Sequence, residues 1–148
     1  MNASFEEIMS IAKFVGLTGV QMHGEESPKE VEEIRPFYPV IKVFPVETLQ
    51  DVGRFLEYTD AIPLFDTKTP LKGGSGKTFN WHHLEELNIH NAIDFFIVAG
   101  GINEGNVEEL IRRIRPPMID ISSGVEVSPG KKDHDKMFRL IRRAKGLL

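Results

Sequence analysis

One stretch constrains this chain more than any other: an apolar run, Phe95-Phe96-Ile97-Val98-Ala99, that stops at Gly100-Gly101 and is followed by Ile102-Asn103. A helix is expected next, because Val107, Leu110, Ile111 and Ile114 recur at the i, i+3, i+4, i+7 spacing of one helix face. A second strand, Met118-Ile119-Asp120-Ile121, ends in Ser122-Ser123-Gly124. Strand, glycine turn, helix, strand and small polar turn make one βαβ unit. Both turns then fall at the C-terminal end of a parallel pair. Glycines there let backbone N–H groups approach a phosphate, and helix N-termini add positive potential. The plainer reading is that the glycines serve only tight turns. Ser122 and Ser123 favour a phosphate site, because their hydroxyls add donors on the same side.

At 148 residues the chain is long enough for one domain with a real core. Hydrophobic residues make up 41% and charged residues 27%, the composition of an ordinary globular protein. The net charge of -4 excludes a broad electrostatic footprint for nucleic acid. With no cysteine there is no disulfide framework and no thiolate metal site. No apolar run approaches the roughly 20 residues of a membrane span, and the N-terminus lacks a signal-peptide pattern. A cytoplasmic protein is the default expectation, with neither membrane nor nucleic acid as partner.

In chain order, Ser4 and Glu7 read as a capping box that opens a helix, with Ile8, Ile11, Ala12 and Val15 as its buried stripe and Gly16 as its stop. A short strand follows, Val20 to Gly24. Ser27, Pro28 and Glu30 supply a cap, a proline at the first helical position and a second capping box. Val31 and Ile34 face inward, and Pro36 and Pro39 end the element. Val40 to Phe44 is the next strand. Thr48 can cap a helix carrying Leu49, Val52, Phe55 and Leu56. Ala61 to Phe65 is a third strand ending at Asp66. A long loop from Thr67 to about Phe79 contains Gly73-Gly74-Ser75-Gly76-Lys77 and returns to Phe79 and Trp81. It reads as a flexible lid, since loops of about 12 residues or more tend to be functional or disordered. A short helix around Leu84 and Leu87 leads to the βαβ unit. A loop, Val125 to Lys132, precedes a last helix with Met137, Leu140, Ile141 and Ala144 on one face. Five strands, each followed by a helix, imply a parallel sheet. Two layouts stay open, a doubly wound sheet or part of an eight-stranded barrel, and in both the function lies at the strand C-termini.

The candidates at that end are His23, Asp66, Gly100, Gly101, Ser122, Ser123 and Gly124. Asp66 suits a general acid or base, or only an aspartate that orients its own turn. Asp120 is expected to point into the interior, where it would need a partner. Lys42 is an ion inside an apolar run, and pairing with a carboxylate would satisfy both. Gly76-Lys77-Thr78 looks like the end of a P-loop, but Leu71 stands where that motif needs glycine, and the run lies in a loop. His82 and His83 are adjacent, so they point apart and are poor metal ligands.

Taken together, several segments resemble the phosphoribosylanthranilate isomerase family. They are Val20-Gln21-Met22-His23-Gly24-Glu25, Ile41-Lys42, Leu64-Phe65-Asp66-Thr67, Gly73 through Trp81, Ala99 through Asn103, Asn106-Val107, Asp120 through Glu126, and Pro129 through Asp133. The resemblance runs from one end of the chain to the other. It implies a (β/α)8 TIM barrel and an Amadori rearrangement of a phosphoribosyl anthranilate in tryptophan biosynthesis, with a small phosphosugar substrate and without cofactor or metal. It implies Asp66 as the general acid. It also implies a phosphate and substrate site at Gly100, Gly101, Asp120, Ser122, Ser123 and Gly124, with His23 lining the pocket.

One departure stands out. The family's general base is a cysteine in a Lys-x-Cys-Gly segment on the first barrel strand, and neither is present. Barrels of this type run to at least about 200 residues, so roughly 50 would be absent. The resemblance therefore implies a truncated form holding the last five β/α units of the barrel. A non-catalytic phosphate-binding half-barrel is the alternative. Self-association, or pairing with an N-terminal fragment, is expected from the open strand edges.

Overall fold

The computed structural model describes residues 2–68 and 78–146. The glycine-rich run Gly73 to Lys77, read above as a lid, lies outside the described residues.

Three capping boxes start the first three helices. Ser4 and Glu7 open α1 (Phe5–Val15), Ser27 and Glu30 open α2 (Pro28–Ile34), and Thr48 and Asp51 open α3 (Leu49–Gly53), which continues as a 3-10 turn, Arg54–Glu57. In each, the cap hydroxyl accepts a backbone N–H and the acid reaches back to the cap's own N–H, satisfying donors that a helix start leaves open. Gly16, at φ 73°, ends α1 in the left-handed conformation that glycine adopts without strain.

The strands β1 (Val20–Met22), β2 (Val40–Val46), β3 (Ile62–Thr67), β4 (Ile97–Val98) and β5 (Met118–Ile119) pair in sequence order, all parallel. α4 (His82–Glu86) and α5 (Ile89–Ala92) connect β3 to β4, and α6 (Val107–Ile114) connects β4 to β5. A doubly wound sheet would reverse its strand order partway, whereas a strictly sequential order builds a barrel wall.

Alternation along the strands sorts the two faces. Val40, Phe44, Val46, Phe65 and Val98 join the main core with Val31, Ile34, Val52, Leu84 and the whole apolar stripe of α6. Val43, Leu64, Ile97 and Ala99, the last just past the end of β4, form a smaller cluster, with Ile41 and Ile62 at its border. The helices thus cover one face, and the other is the concave side of the wall.

Some expectations shift. In α1 the inward stripe is Phe5, Ile8, Met9 and Ala12, while Ile11 and Val15 are exposed. Both stripes have helical spacing, and tertiary packing chooses between them. Leu56 is exposed because the chain tightens into the 3-10 turn before it. Ile141 in the last helix, α7 (His134–Gly146), is exposed too, whereas Leu140 and Ala144 are buried. The expected loop Val125 to Lys132 is a 3-10 turn, Ser123–Val125, followed by a hairpin of β6 (Glu126–Ser128) and β7 (Lys131–Lys132), turned at Gly130 with φ 79°. Phe79 and Trp81 are buried, as expected of an anchor.

Candidate active site

Asp66 is the penultimate residue of β3, one before the strand ends at Thr67, with its side chain 18% exposed. Its Oδ1 accepts the Thr67 N–H at 2.7 Å, the local turn bond that the Asp-Thr sequence permits. Its Oδ2 lies 3.8 Å from His23 Nε2, at the end of β1. Burial holds the Asp66 carboxyl above its ordinary range. The Thr67 N–H and His23 oppose that shift, and the charge of Asp120 adds to it. A carboxyl that holds its proton more firmly than usual is better matched to general-acid work.

Gly100 has a positive φ of 82°, and a Cβ there would fall 2.5 Å from Asp66 Oδ1 and from the Thr67 N–H nitrogen. Only glycine lets the β4 end pass so close to the carboxylate. Beyond it, the Gly101 carbonyl accepts from the side-chain amides of Asn103 and Asn106, each at 3.0 Å, and the Asn103 N–H donates to Asn106 Oδ1 at 2.8 Å. The turn into α6 is therefore braced by two asparagines. At the β5 end, a Cβ on Gly124 would run into the Ile102 carbonyl, so the two strand-end turns are pressed together.

Between them lies a cavity of about 80 Å³, lined by Asp66, Asp120, the Gly100–Ile102 turn and the Ser122–Gly124 turn. Seven of the eight site residues expected from the sequence border it, and the eighth, His23, reaches it through Asp66. Asp120 differs from expectation. It follows the end of β5 instead of lying within the strand, is exposed rather than interior, and keeps strand geometry through its N–H to Val98 O at 2.9 Å. Among the described residues, no group of three or more histidines, cysteines or acids could hold a metal ion.

The model of the N-(5'-phosphoribosyl)anthranilate (PRA) isomerase family matches residues 1–143. The isomerase of Thermotoga neapolitana is 44% identical over 147 residues, which cover 99% of this chain and 71% of that protein. This chain belongs to the phosphoribosylanthranilate isomerase family. The crystal structure of the isomerase from Thermotoga maritima superposes with a TM-score of 0.90 at 42% identity, covering 99% of this chain and 71% of that one. A phosphoribosylanthranilate isomerase in complex with reduced 1-(o-carboxyphenylamino)-1-deoxyribulose 5-phosphate superposes at 0.84 with 36% identity, covering 99% of this chain and 69% of that one. The fold is TIM-barrel-like, and the doubly wound layout falls away.

Within this member of the isomerase family, sequence reasoning overlooked one side chain at the site and one beneath the turn that follows β1. Lys132 donates to the Ser122 carbonyl at 3.0 Å and to Glu126 Oε1 at 2.8 Å, bringing a cation beside the serine turn. The hairpin that carries it was hidden in an expected loop, although Pro129-Gly130 between two short polar runs is a turn signal. Glu26 is the partner of Lys42, at 3.0 Å. No sequence pattern near Glu26 sets it apart from a surface acid.

Proposed function

We propose that this chain acts on N-(5'-phosphoribosyl)anthranilate and carries out the family's Amadori rearrangement, with Asp66 as the general acid. The observation that carries the reading is the position of Asp66: a half-buried carboxyl, resistant to ionisation, in one cavity with two glycine- and serine-lined turns. In the first step Asp66 gives its proton to the ribose ring oxygen as the bond from that oxygen to C1 breaks. The anthranilate nitrogen lone pair forms the C1–N double bond, leaving an iminium. Loss of the C2 proton then gives an enolamine, which tautomerises to the aminoketone. These 148 residues hold no cysteine, so the C2 proton passes to a base other than a thiolate of this sequence.

The substrate phosphate is placed against the N–H groups of Gly101, Ser123 and Gly124 and the hydroxyls of Ser122 and Ser123, with Lys132 close by. Asp120 meets the sugar hydroxyls, and His23 stands beside Asp66, 3.8 Å from its Oδ2. We infer further that β1 to β5 correspond to the last five strands of the eight-stranded barrel. Their sequential parallel order, and a superposition that spans 71% of the Thermotoga maritima chain, support their being part of such a barrel wall. Self-association is proposed as well, on the apolar helix faces considered below.

Purified chain, assayed for loss of phosphoribosylanthranilate fluorescence, tests the reading. Turnover that falls sharply in Asp66→Asn is expected. Binding of ribose phosphate with no turnover would overturn it in favour of a non-catalytic phosphate-binding module.

A further inference from the structure

Glu26 is a buried carboxylate that the acid chemistry above leaves unused. Its side chain is 6% exposed and that of Lys42 is 4% exposed. The Lys42 ammonium donates to Glu26 Oε2 at 3.0 Å, to the Gly24 carbonyl at 2.9 Å and to the Val43 carbonyl at 3.3 Å. Glu26 in turn accepts the Gly24 N–H on both carboxylate oxygens, at 2.9 and 3.1 Å. The ion pair therefore grips Gly24 from both sides, its N–H on the acid and its carbonyl on the ammonium. The Tyr58 hydroxyl, donating to the Glu26 carbonyl at 2.9 Å, holds the backbone of the same turn. Buried ion pairs are weak sources of net stability, because desolvation offsets their attraction. What this pair does is fix a geometry, and the residue before Gly24 is His23.

His23 Nε2 lies 3.8 Å from Asp66 Oδ2. The charged groups facing Asp66 among the described residues are His23 from the β1 end and Asp120 from the β5 end. From β2, Lys42 is committed to Glu26 and Gly24. From β4, the backbone of Gly100 closes the remaining side. We propose that Glu26 is a positioning residue: clamped by Lys42, it fixes Gly24 and so holds the His23 ring against the Asp66 carboxylate, setting how readily Asp66 gives up its proton. This rests on the reading of Asp66 as the proton donor. A positive charge on the His23 ring at this distance favours the Asp66 carboxylate, so the placement of the ring bears on how firmly Asp66 holds its proton. The separation of the two side chains therefore sets how strongly the ring acts on the acid.

The test is a side-chain carboxyl carbon-13 NMR titration of Asp66 in four proteins: wild type, His23→Asn, the double variant E26Q/K42M, and the triple variant. E26Q/K42M removes both charges together, which spares the fold an unpaired buried ion. If circular dichroism shows it unfolded, Glu26→Asp, which keeps the charge and shortens the reach, takes its place. The Asp66 midpoint is expected to move upward in His23→Asn, to move upward in E26Q/K42M, and to move no further in the triple variant. An unchanged midpoint in E26Q/K42M, or a full additional shift on adding His23→Asn, would overturn the proposal. Turnover is measured separately on the same proteins. Activity whose pH profile moves with the Asp66 midpoint supports both readings. The NMR shifts without isomerase activity in the wild type overturn the functional reading while supporting the clamp.

Discussion

At the scale of single residues, Asp66 and Glu26 are opposite cases of a buried carboxyl. Asp66 is raised by burial above its unfolded value, so between the two values the folded chain binds more protons than the unfolded one. Stability then falls as pH rises through that window, and above it the full penalty is present. Asp66→Asn is therefore expected to be more stable than wild type at neutral pH, with the gap closing in acid. Its kcat is expected to fall by about 10²–10⁴ if the proton it supplies is used in the transition state. Thermal melts at acid and neutral pH beside a kinetic assay check both halves, and a variant that is neither stabler nor slower would make Asp66 a turn residue only. For Glu26, burial opposes ionisation, but bonds from Lys42 and the Gly24 N–H carry the carboxyl below its ordinary range. Its contribution is present above the unfolded value and is lost as pH falls through the depressed folded one. Lys42→Met alone leaves Glu26 buried without a counter-charge and is expected to destabilise by about 3–5 kcal/mol, read from urea unfolding at pH 7. The position of Asp66 was legible in the sequence because an acid that ends an apolar strand falls at the strand C-termini, while the sequence left open whether it does acid chemistry or only orients its turn. Glu26 was not, because its burial depends on a lysine 16 residues away that only the fold brings near.

Elements were legible where chemistry is local. The helix starts at Ser4, Ser27 and Thr48 follow from side chains three residues apart, and the structure forms all three capping boxes. Ser27→Ala should cost about 1 kcal/mol, measured as a shift in the denaturation midpoint. The stripe of α6 was equally plain, because apolar residues occupy one face and charges the other. α1 was not, since two apolar stripes share the helix and only packing against Phe37 and its neighbours decides which is buried. At the site, the turns are coupled elements rather than separate loops. Gly124→Ala would drive a methyl into the Ile102 carbonyl and push the serine turn away from the Gly101 turn. Weaker binding of ribose phosphate, with the sheet intact by circular dichroism, is the expected outcome. Unchanged affinity, measured by calorimetry, would place the phosphate elsewhere.

For the whole molecule, the parallel alternation of strands and helices was readable from periodicity, but the choice between layouts was not. Strand order is a property of long-range pairing, and it emerges only in the sequential pairing of β1 to β5. Among the described residues β1 pairs only with β2 and β5 only with β4, so each end of the sheet presents an edge. Apolar side chains stand exposed on helices of both flanks: Ile11, Phe14 and Val15 on α1, and Phe138 and Ile141 on α7, with Phe14 92% exposed. Large apolar side chains exposed together on one helix mark interaction surface, and unpaired edges recruit further strands. Concentration-dependent association is therefore expected in sedimentation velocity. Phe14→Lys with Phe138→Lys should weaken it, because a charge desolvated in an apolar contact is costly. Both side chains are exposed, so the double variant should keep the thermal midpoint of the wild type at dilution. A wild type that sediments as a monomer at all concentrations would remove the case for self-association. Association undiminished by the two lysines would shift it from the helix faces to the strand edges.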